Sequence, residues 1–280
     1  MPRTRYGQNF LIDLNLVRLL ADSAELGRRD LVLEVGTGTG SLTAMLAQRA
    51  GHVITVEVDN RLYQLASEEL IDAANVTMLQ CDALKNKNRL SPMVTEAIDR
   101  HLTDMPGGRL KLVANLPYNI ATPLITNLLA LERPPVLMVV TIQKELADRL
   151  AAAPSTKDYG ALSVWVQSQC RVELVRQMSP SVFWPRPKVD SAIVRVRLVP
   201  ERRAQIPHRD AFHQFARAMF FHRRKLLRRE LLSFAKDRLD KPAVDRLMSD
   251  LGFPADARAE QLDVGQMLRL CEAVRERLER

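Results

Sequence analysis

The chain has 280 residues, 46% of them hydrophobic, enough for a large core and a second smaller one. No apolar run approaches the roughly 18 residues that span a bilayer, and the basic start Met1-Pro2-Arg3-Thr4-Arg5-Tyr6 lacks a secretory h-region. Cys81, Cys170 and Cys271 are few and far apart, which excludes a disulfide framework and a cysteine-built zinc site and predicts reduced thiols in a cytoplasmic protein, with no membrane partner and no metal. The net charge is +8, and fourteen Lys/Arg against five Asp/Glu fall between Arg195 and Lys241, so the remainder is close to neutral.

In chain order, Leu14 to Ala24 reads as a helix capped by Asp13, Leu31 to Val35 as a short strand, and Ser41 to Ala50 as a helix. Val53 to Glu57 is a second strand, Arg61 to Ile71 a helix and Val76 to Leu79 a third strand. A polar stretch from Lys85 to Gly108 carries one weak helical pattern. Leu110 to Ala114 is a buried strand, followed by a helix after Thr122 and the run Val136 to Ile142. Arg171 to Val175 and Ser191 to Leu198 are two later strands, the second alternating as an edge partner would. Strands alternating with helices predict βαβ units and a parallel sheet. Beyond Pro200 and Pro207 the pattern is wholly helical, to Val264–Leu278. These boundaries predict a catalytic domain over 1–202 and a helical domain over 203–280.

Leu33-Glu34-Val35-Gly36-Thr37-Gly38-Thr39-Gly40 is a strand running into a glycine-rich turn and a helix. Glycine lets backbone lie close to a ligand, and the helix start offers free N–H groups. Glu57 closes the second strand, 21 residues after Gly36, where an acid can bind both ribose hydroxyls. Asp82 follows the third strand, where a carboxylate can accept from an adenine amino group. The dinucleotide fingerprint is G-x-G-x-x-G/A; here the run is G-x-G-x-G followed by Ser41. Acids at two further strand ends suit one nucleoside without a pyrophosphate, and S-adenosylmethionine is such a ligand.

Asn115-Leu116-Pro117-Tyr118 ends a buried strand with an amide, free carbonyls and an aromatic ring. It reads either as a Pro turn with Tyr118 as packing, or as a clamp for a planar amine, the acceptors taking its hydrogens and the ring its face. Further on, Phe212, Phe215, Met219, Leu226, Leu227 and Leu231 recur at helical spacing through His222-Arg223-Arg224-Lys225 and Arg228-Arg229. That pattern predicts one amphipathic helix with a strongly basic side, and a polyanion partner.

With these pieces the chain resembles the small-subunit (16S) ribosomal RNA adenine N6,N6-dimethyltransferase family. The matching runs are Gly7-Gln8-Asn9-Phe10-Leu11, Leu33 to Gly40, Val56-Glu57-Val58-Asp59, Cys81-Asp82-Ala83-Leu84, Asn115 to Pro123, Gln143-Lys144-Glu145, Phe183 to Ser191 and Phe221 to Lys225. The resemblance implies a Rossmann-like class I S-adenosylmethionine-dependent methyltransferase fold, a mostly parallel seven-stranded sheet, with a small all-α C-terminal domain. It implies a monomer that uses S-adenosylmethionine, releases S-adenosylhomocysteine, and methylates two adjacent adenines near the 3′ end of 16S rRNA in a precursor of the small ribosomal subunit. Asn9 and Leu11 would close over the methionine end of the cofactor, and Gly36 would line its turn. Glu57 would hold the ribose and Asp82 the adenine, while Asn115 would serve both cofactor and target. Asn115 and the Leu116 or Pro117 carbonyl would accept from the target amine; Tyr118 and Phe183 would sandwich the base. Arg223, Arg224, Lys225 and Arg228 would contact RNA.

Two features depart from the family pattern. The segment between Asp82 and Asn115 is longer than expected, which predicts an excursion outside the sheet, and Thr37 stands where proline is common. The alternative activities are a large-subunit rRNA adenine dimethyltransferase, an assembly factor that has lost activity, and an N6-adenine DNA methyltransferase. Retained Glu57, Asp82 and Asn115 argue against loss. DNA enzymes usually carry Asp-Pro-Pro-Tyr at the clamp.

Overall fold

The computed structural model describes residues 9–223, 225–236 and 238–279. The first half runs β1 (Phe10–Leu11), α1 (Leu14–Asp22), β2 (Asp30–Val35), α2 (Ser41–Ala47), β3 (His52–Glu57), α3 (Asn60–Glu69), β4 (Val76–Gln80), β5 (Leu84–Asn86), β6 (Arg89–Leu90) and α4 (Pro92–Asp104). There follow β7 (Arg109–Asn115), α5 (Ala121–Ala130), β8 (Leu137–Gln143), α6 (Lys144–Ala151), α7 (Ala161–Gln167), β9 (Cys170–Met178), β10 (Phe183–Trp184) and β11 (Ser191–Leu198). The chain ends in α8 (Pro200–Ala204), α9 (Arg209–Met219), α10 (Leu227–Ala235), α11 (Lys241–Asp250) and α12 (Val264–Glu279).

Seven strands form one sheet in the order β4-β3-β2-β7-β8-β11-β9. The pairs from β4 to β8 are parallel, and β11 runs antiparallel to β8. This is the expected mostly parallel sheet. Its central strands are apolar at nearly every position because helices cover both faces, so alternation is lost there. Leu33, Leu112, Val113 and Val139 are fully buried, each side chain contributing roughly 1.5–3 kcal/mol by leaving water. Chain order reverses between β2 and β7, and ligands of open α/β sheets bind outside the strand carboxyl ends at such a point.

At the opposite end of the sheet, Asp30 and Lys111 form a buried ion pair of 2.9 Å. Arg109 adds a second cation to Asp30, and Lys111 Nζ also donates to the carbonyls of Ala24 and Glu25. The long segment after Asp82 becomes the β5–β6 hairpin, a separate two-stranded sheet, followed by α4 on one face of the main sheet.

Contacts divide the chain into two units, residues 1–147 with 172–198, and residues 148–171 with 199–280. A contiguous division at 202/203 does not describe them. The second unit takes α7 because Trp165, 1% exposed, stacks on His213 of α9 with ring centroids 4.5 Å apart. Tyr159, also buried, donates to the Leu262 carbonyl at 2.9 Å and meets Phe220 edge to face. Periodicity reports an apolar face but not which core that face joins.

The single helix expected through Phe212–Leu231 is two helices, α9 and α10, separated by residues 220–226. The apolar positions are continuous, yet tertiary bonds break the run. Leu227 N–H donates to the Ala257 carbonyl at 2.8 Å, and Arg223 reaches Glu260 at 2.6 Å and the carbonyls of Thr156 and Lys157. His222, Arg223 and Lys225 therefore sit in a turn, while Arg228 and Arg229 lie in the first turn of α10.

Candidate active site

β2 delivers the glycine turn. Gly36, Gly38 and Gly40 all have positive φ (90°, 60° and 85°), a region costly for side-chain-bearing residues. Their neighbours are close: a Cβ on Gly36 would touch Pro117 at 3.4 Å and the Asn115 carbonyl at 3.7 Å, and one on Gly38 would lie 3.3 Å from the Phe10 ring, a tight approach. The turn after β2 and the Asn-Leu-Pro-Tyr segment after β7 are thus direct neighbours at the switch point, with the β1 strap against the turn.

The turn is held from beneath by Glu57, 4% exposed, at the end of β3. One carboxylate oxygen accepts from Gly38 N–H at 3.0 Å, the other from Val58 and Asp59 N–H at 3.0 and 2.9 Å. Burial raises its pKa despite those three bonds. Deeper lies Glu34, accepting from the Thr43 and Thr55 hydroxyls at 2.5 and 2.7 Å. Burial, with Glu57 nearby, pushes the Glu34 pKa up to about 7. Thr55 gives its single proton to Glu34, so Thr37, 2.6 Å away, donates to Thr55. Thr37 thereby ties the glycine turn to that buried acid.

A cavity is lined by Gly36, Glu57, Val58, Asp82, Pro117 and Ile120, among others. It brings together three of the expected cofactor residues. Asp82 is oriented by its own turn, accepting from Leu84 N–H at 2.9 Å. Val58 and Ile120 supply apolar walls; sequence reasoning missed them because isolated aliphatic residues carry no signal.

Asn115 ends β7 with its Nδ2 donating to the Asn9 carbonyl at 2.9 Å. This bond tethers the strap and commits the amide nitrogen, so Oδ1 is the end left to accept. Pro117's carbonyl receives Ile120 N–H at 3.1 Å, which leaves the Leu116 carbonyl as the better second acceptor. The Leu116 side chain is buried and its N–H bonds the Thr141 carbonyl at 3.2 Å, fixing the backbone. Tyr118 is positioned by a 2.6 Å bond from its hydroxyl to Ser191 Oγ, and burial raises its pKa. Ser191 lay in a quoted motif, but its pairing with Tyr118 needed the β11–β8 register, which sets Ser191 opposite Gln143.

Two expectations change here. Phe183 is 2% exposed and packs in the core with Val17, Leu46 and Ile193. It pairs with Leu11 in the β1–β10 ladder, and in this structure its ring serves as a packing element. Leu11 likewise packs against that core. Among the expected RNA contacts, Arg223 is taken up by Glu260, Thr156 and Lys157, and Arg228 is paired with Asp245 through both carboxylate oxygens. Arg224 lies outside the described residues. Lys225 forms no ion pair among them.

The fold is that of class I methyltransferases. A dimethyladenosine transferase from Plasmodium falciparum superposes with TM-score 0.78, at 24% identity, covering 96% of this chain and 98% of that one. The 23S rRNA methyltransferase ErmE superposes with TM-score 0.65, at 26% identity, over 95% and 99%. The family model for ribosomal RNA adenine dimethylase matches residues 2–276. Proteins called ribosomal RNA small subunit methyltransferase A are similar throughout: that of Lactiplantibacillus plantarum is 41% identical over 270 residues, 96% of this chain and 88% of its own. That of Bacillus mycoides is 38% identical over 272 residues, 96% and 89%. The chain belongs to the ribosomal RNA adenine dimethylase family.

Proposed function

We propose that this protein transfers methyl groups from S-adenosylmethionine to the N6 amines of two adjacent adenines near the 3′ end of 16S rRNA, in a small-subunit precursor in the cytoplasm. The observation that carries this reading is the contact of the glycine turn with Asn115 and Pro117. It sets a nucleoside cavity lined by Gly36, Glu57 and Asp82 against a pair of acceptors suited to an exocyclic amine. The small-subunit enzymes at 38–41% identity favour this substrate over the large subunit that ErmE acts on.

The residues present fit the cofactor. Glu57 and Asp82 offer carboxylate acceptors for hydroxyls and an amino group, and the glycine turn, held at positive φ beside Pro117 and Phe10, disfavours side chains. Asn9 would close the site through the carbonyl that Asn115 already binds. When bound, S-adenosylmethionine supplies an electrophilic methyl on a sulfonium.

An adenine amine is a weak nucleophile because its lone pair is delocalised into the ring. Asn115 Oδ1 and the Leu116 carbonyl would accept its two hydrogens and favour a pyramidal nitrogen with the lone pair directed at the methyl. Holding the reactants in line can supply roughly 7–11 kcal/mol at best. The Tyr118 ring, fixed by Ser191, would stack on the base, and its π face can add about 0.5–2 kcal/mol toward a cationic methyl. The methylated ammonium is acidic enough to release its proton to water, so no side-chain base is required. The target base must leave its stack, and Tyr118 replaces part of that stacking.

Tritiated methyl transfer onto undermethylated small and large ribosomal subunits, assayed separately, tests the reading. Label should enter the small subunit as dimethyladenine. Label in the large subunit alone would overturn the substrate assignment, and absence of S-adenosylmethionine binding by calorimetry would overturn the activity.

A further inference from the structure

A groove in the second unit lies between α9, α10 and the end of α12, lined by Arg217, Phe221, Phe234, Lys236, Arg238 and Leu278. Phe221 is 78% exposed, the more unusual because it begins a basic turn and not a core-facing helix. An isolated exposed aliphatic residue needs no explanation, but a phenyl ring surrounded by cations does. Its ring meets His222 in a T-shaped arrangement, centroids 4.7 Å apart at 90°. Arg217, Lys236 and Arg238 are all exposed, and among the described residues none forms an ion pair; Arg238 also donates from one guanidinium nitrogen to the Leu278 carbonyl, which leaves its other N–H groups to solvent or ligand. The carboxylate in the groove, Glu230, is 4% exposed and turned to His222 at 3.4 Å. Lys236 holds φ 45°, an uncommon conformation for a residue with a side chain. On the groove floor Phe234 is locked edge to face on Phe215 at 5.2 Å.

We infer that this groove binds an unpaired nucleotide of single-stranded RNA, with Phe221 as the stacking platform for its base and Arg217, Lys236 and Arg238 as the cations around its phosphates. The inference rests on the ribosomal RNA reading and adds a contact beyond the adenine clamp. Charge selects the occupant: three exposed cations around one aromatic ring match a polyanion whose units each carry a π face, the pairing that single-strand RNA binders use. An apolar peptide would bury those cations without counter-charges. Base stacking on an aromatic residue makes binding tolerant of sequence, so the site would add grip next to structured RNA without dictating the base.

The test uses the full chain and a short single-stranded RNA, intact or with one abasic position, binding being followed by anisotropy and stacking by 2-aminopurine fluorescence. The wild type should bind the intact strand roughly ten-fold tighter than the abasic one and quench the probe. F221A should bind both equally and leave the probe unquenched, and F221W should restore the difference. K236A should weaken both strands alike and lower the salt dependence by about one ion. With so exposed a ring, unchanged melting of F221A confirms that folding is unaffected. Retained discrimination in F221A would overturn the inference, as would loss of binding to ribosomal proteins with RNA binding intact. In either case methyl transfer by the same protein leaves the functional reading standing, whereas failure of the wild type to bind any RNA sinks both.

Discussion

Replacing Asn115 by alanine removes two things that the structure separates. One is the Nδ2 bond to the Asn9 carbonyl, 2.9 Å long and partly buried. A net hydrogen bond of this kind contributes about 1 kcal/mol, which in a chain of this size lowers the melting temperature by about 2 °C. The other is the Oδ1 acceptor at the amine. Loss of one preorganised polar group at a reacting centre costs roughly 2.7–4 kcal/mol, or 10²–10³-fold in turnover. The expected result is a folded protein that binds ribosomal RNA normally and transfers methyl at most at about a hundredth of the wild-type rate. Asn115→Asp keeps an acceptor but sets oxygen against the Asn9 carbonyl, so its rate should fall between the two. Single-turnover transfer of tritiated methyl groups to undermethylated small subunits measures the rate, and filter binding measures RNA affinity. Wild-type transfer by Asn115→Ala would refute the clamp, and a parallel loss of RNA binding would show that the residue acts through folding.

Glu34 gives a pH signature. Its pKa is raised from 4.5 to about 7 in the fold, so the folded state holds a proton that the unfolded state has lost. Stability therefore falls as pH rises from 4.5 to 7, by about 3 kcal/mol in all. Glu34→Gln should flatten that part of a denaturation series, and an unchanged pH slope would contradict the assignment. His52 has the opposite sign. Burial lowers its pKa to about 4, with the stacked His101 also contributing, so stability present above 6.5 is lost as pH falls toward 4, a loss that His52→Gln should lessen. Lys111→Met leaves Asp30 with the half-exposed Arg109 as its remaining cation beside the Gly27 N–H, and urea unfolding should show a loss of about 3–5 kcal/mol, largely recovered in the double variant with Asp30→Asn. Arg223→Ala should lower the melting temperature while leaving the salt dependence of RNA binding intact, because its guanidinium is consumed by Glu260, Thr156 and Lys157. Lys225→Ala should do the reverse, reducing the slope of log affinity against log salt by about one.

The sheet and the residues that line the cavity beside the glycine turn were legible from residue order. Glycines at Gly36, Gly38 and Gly40 serve backbone conformations that other residues resist, and those conformations occur where they were expected. Buried strands announce themselves as apolar runs, and the site lies at their ends, so Glu57 and Asp82 could be located by counting from them. These are local properties, decided by sterics and burial within a few residues. Asp13 is a simple case, capping α1 through the Asn15 N–H as its side chain predicts.

What only the tertiary structure decided depends on partners far apart in sequence. The α9–α10 break comes from bonds to Ala257, Glu260 and the 156–157 loop, which no helical periodicity encodes. Those same bonds turned Arg223 from a candidate phosphate contact into an internal strut. Phe183 and Trp184 are adjacent aromatic residues with opposite fates: β-strand alternation buries the first, while the second remains 55% exposed and stacks on Phe10. Which of the two faces the core depends on pairing with β1, about 170 residues earlier. The amide of Asn115 was legible as a polar group at a strand end. Its orientation was decided by Asn9, because a carbonyl 106 residues away takes the nitrogen and leaves the oxygen free to accept.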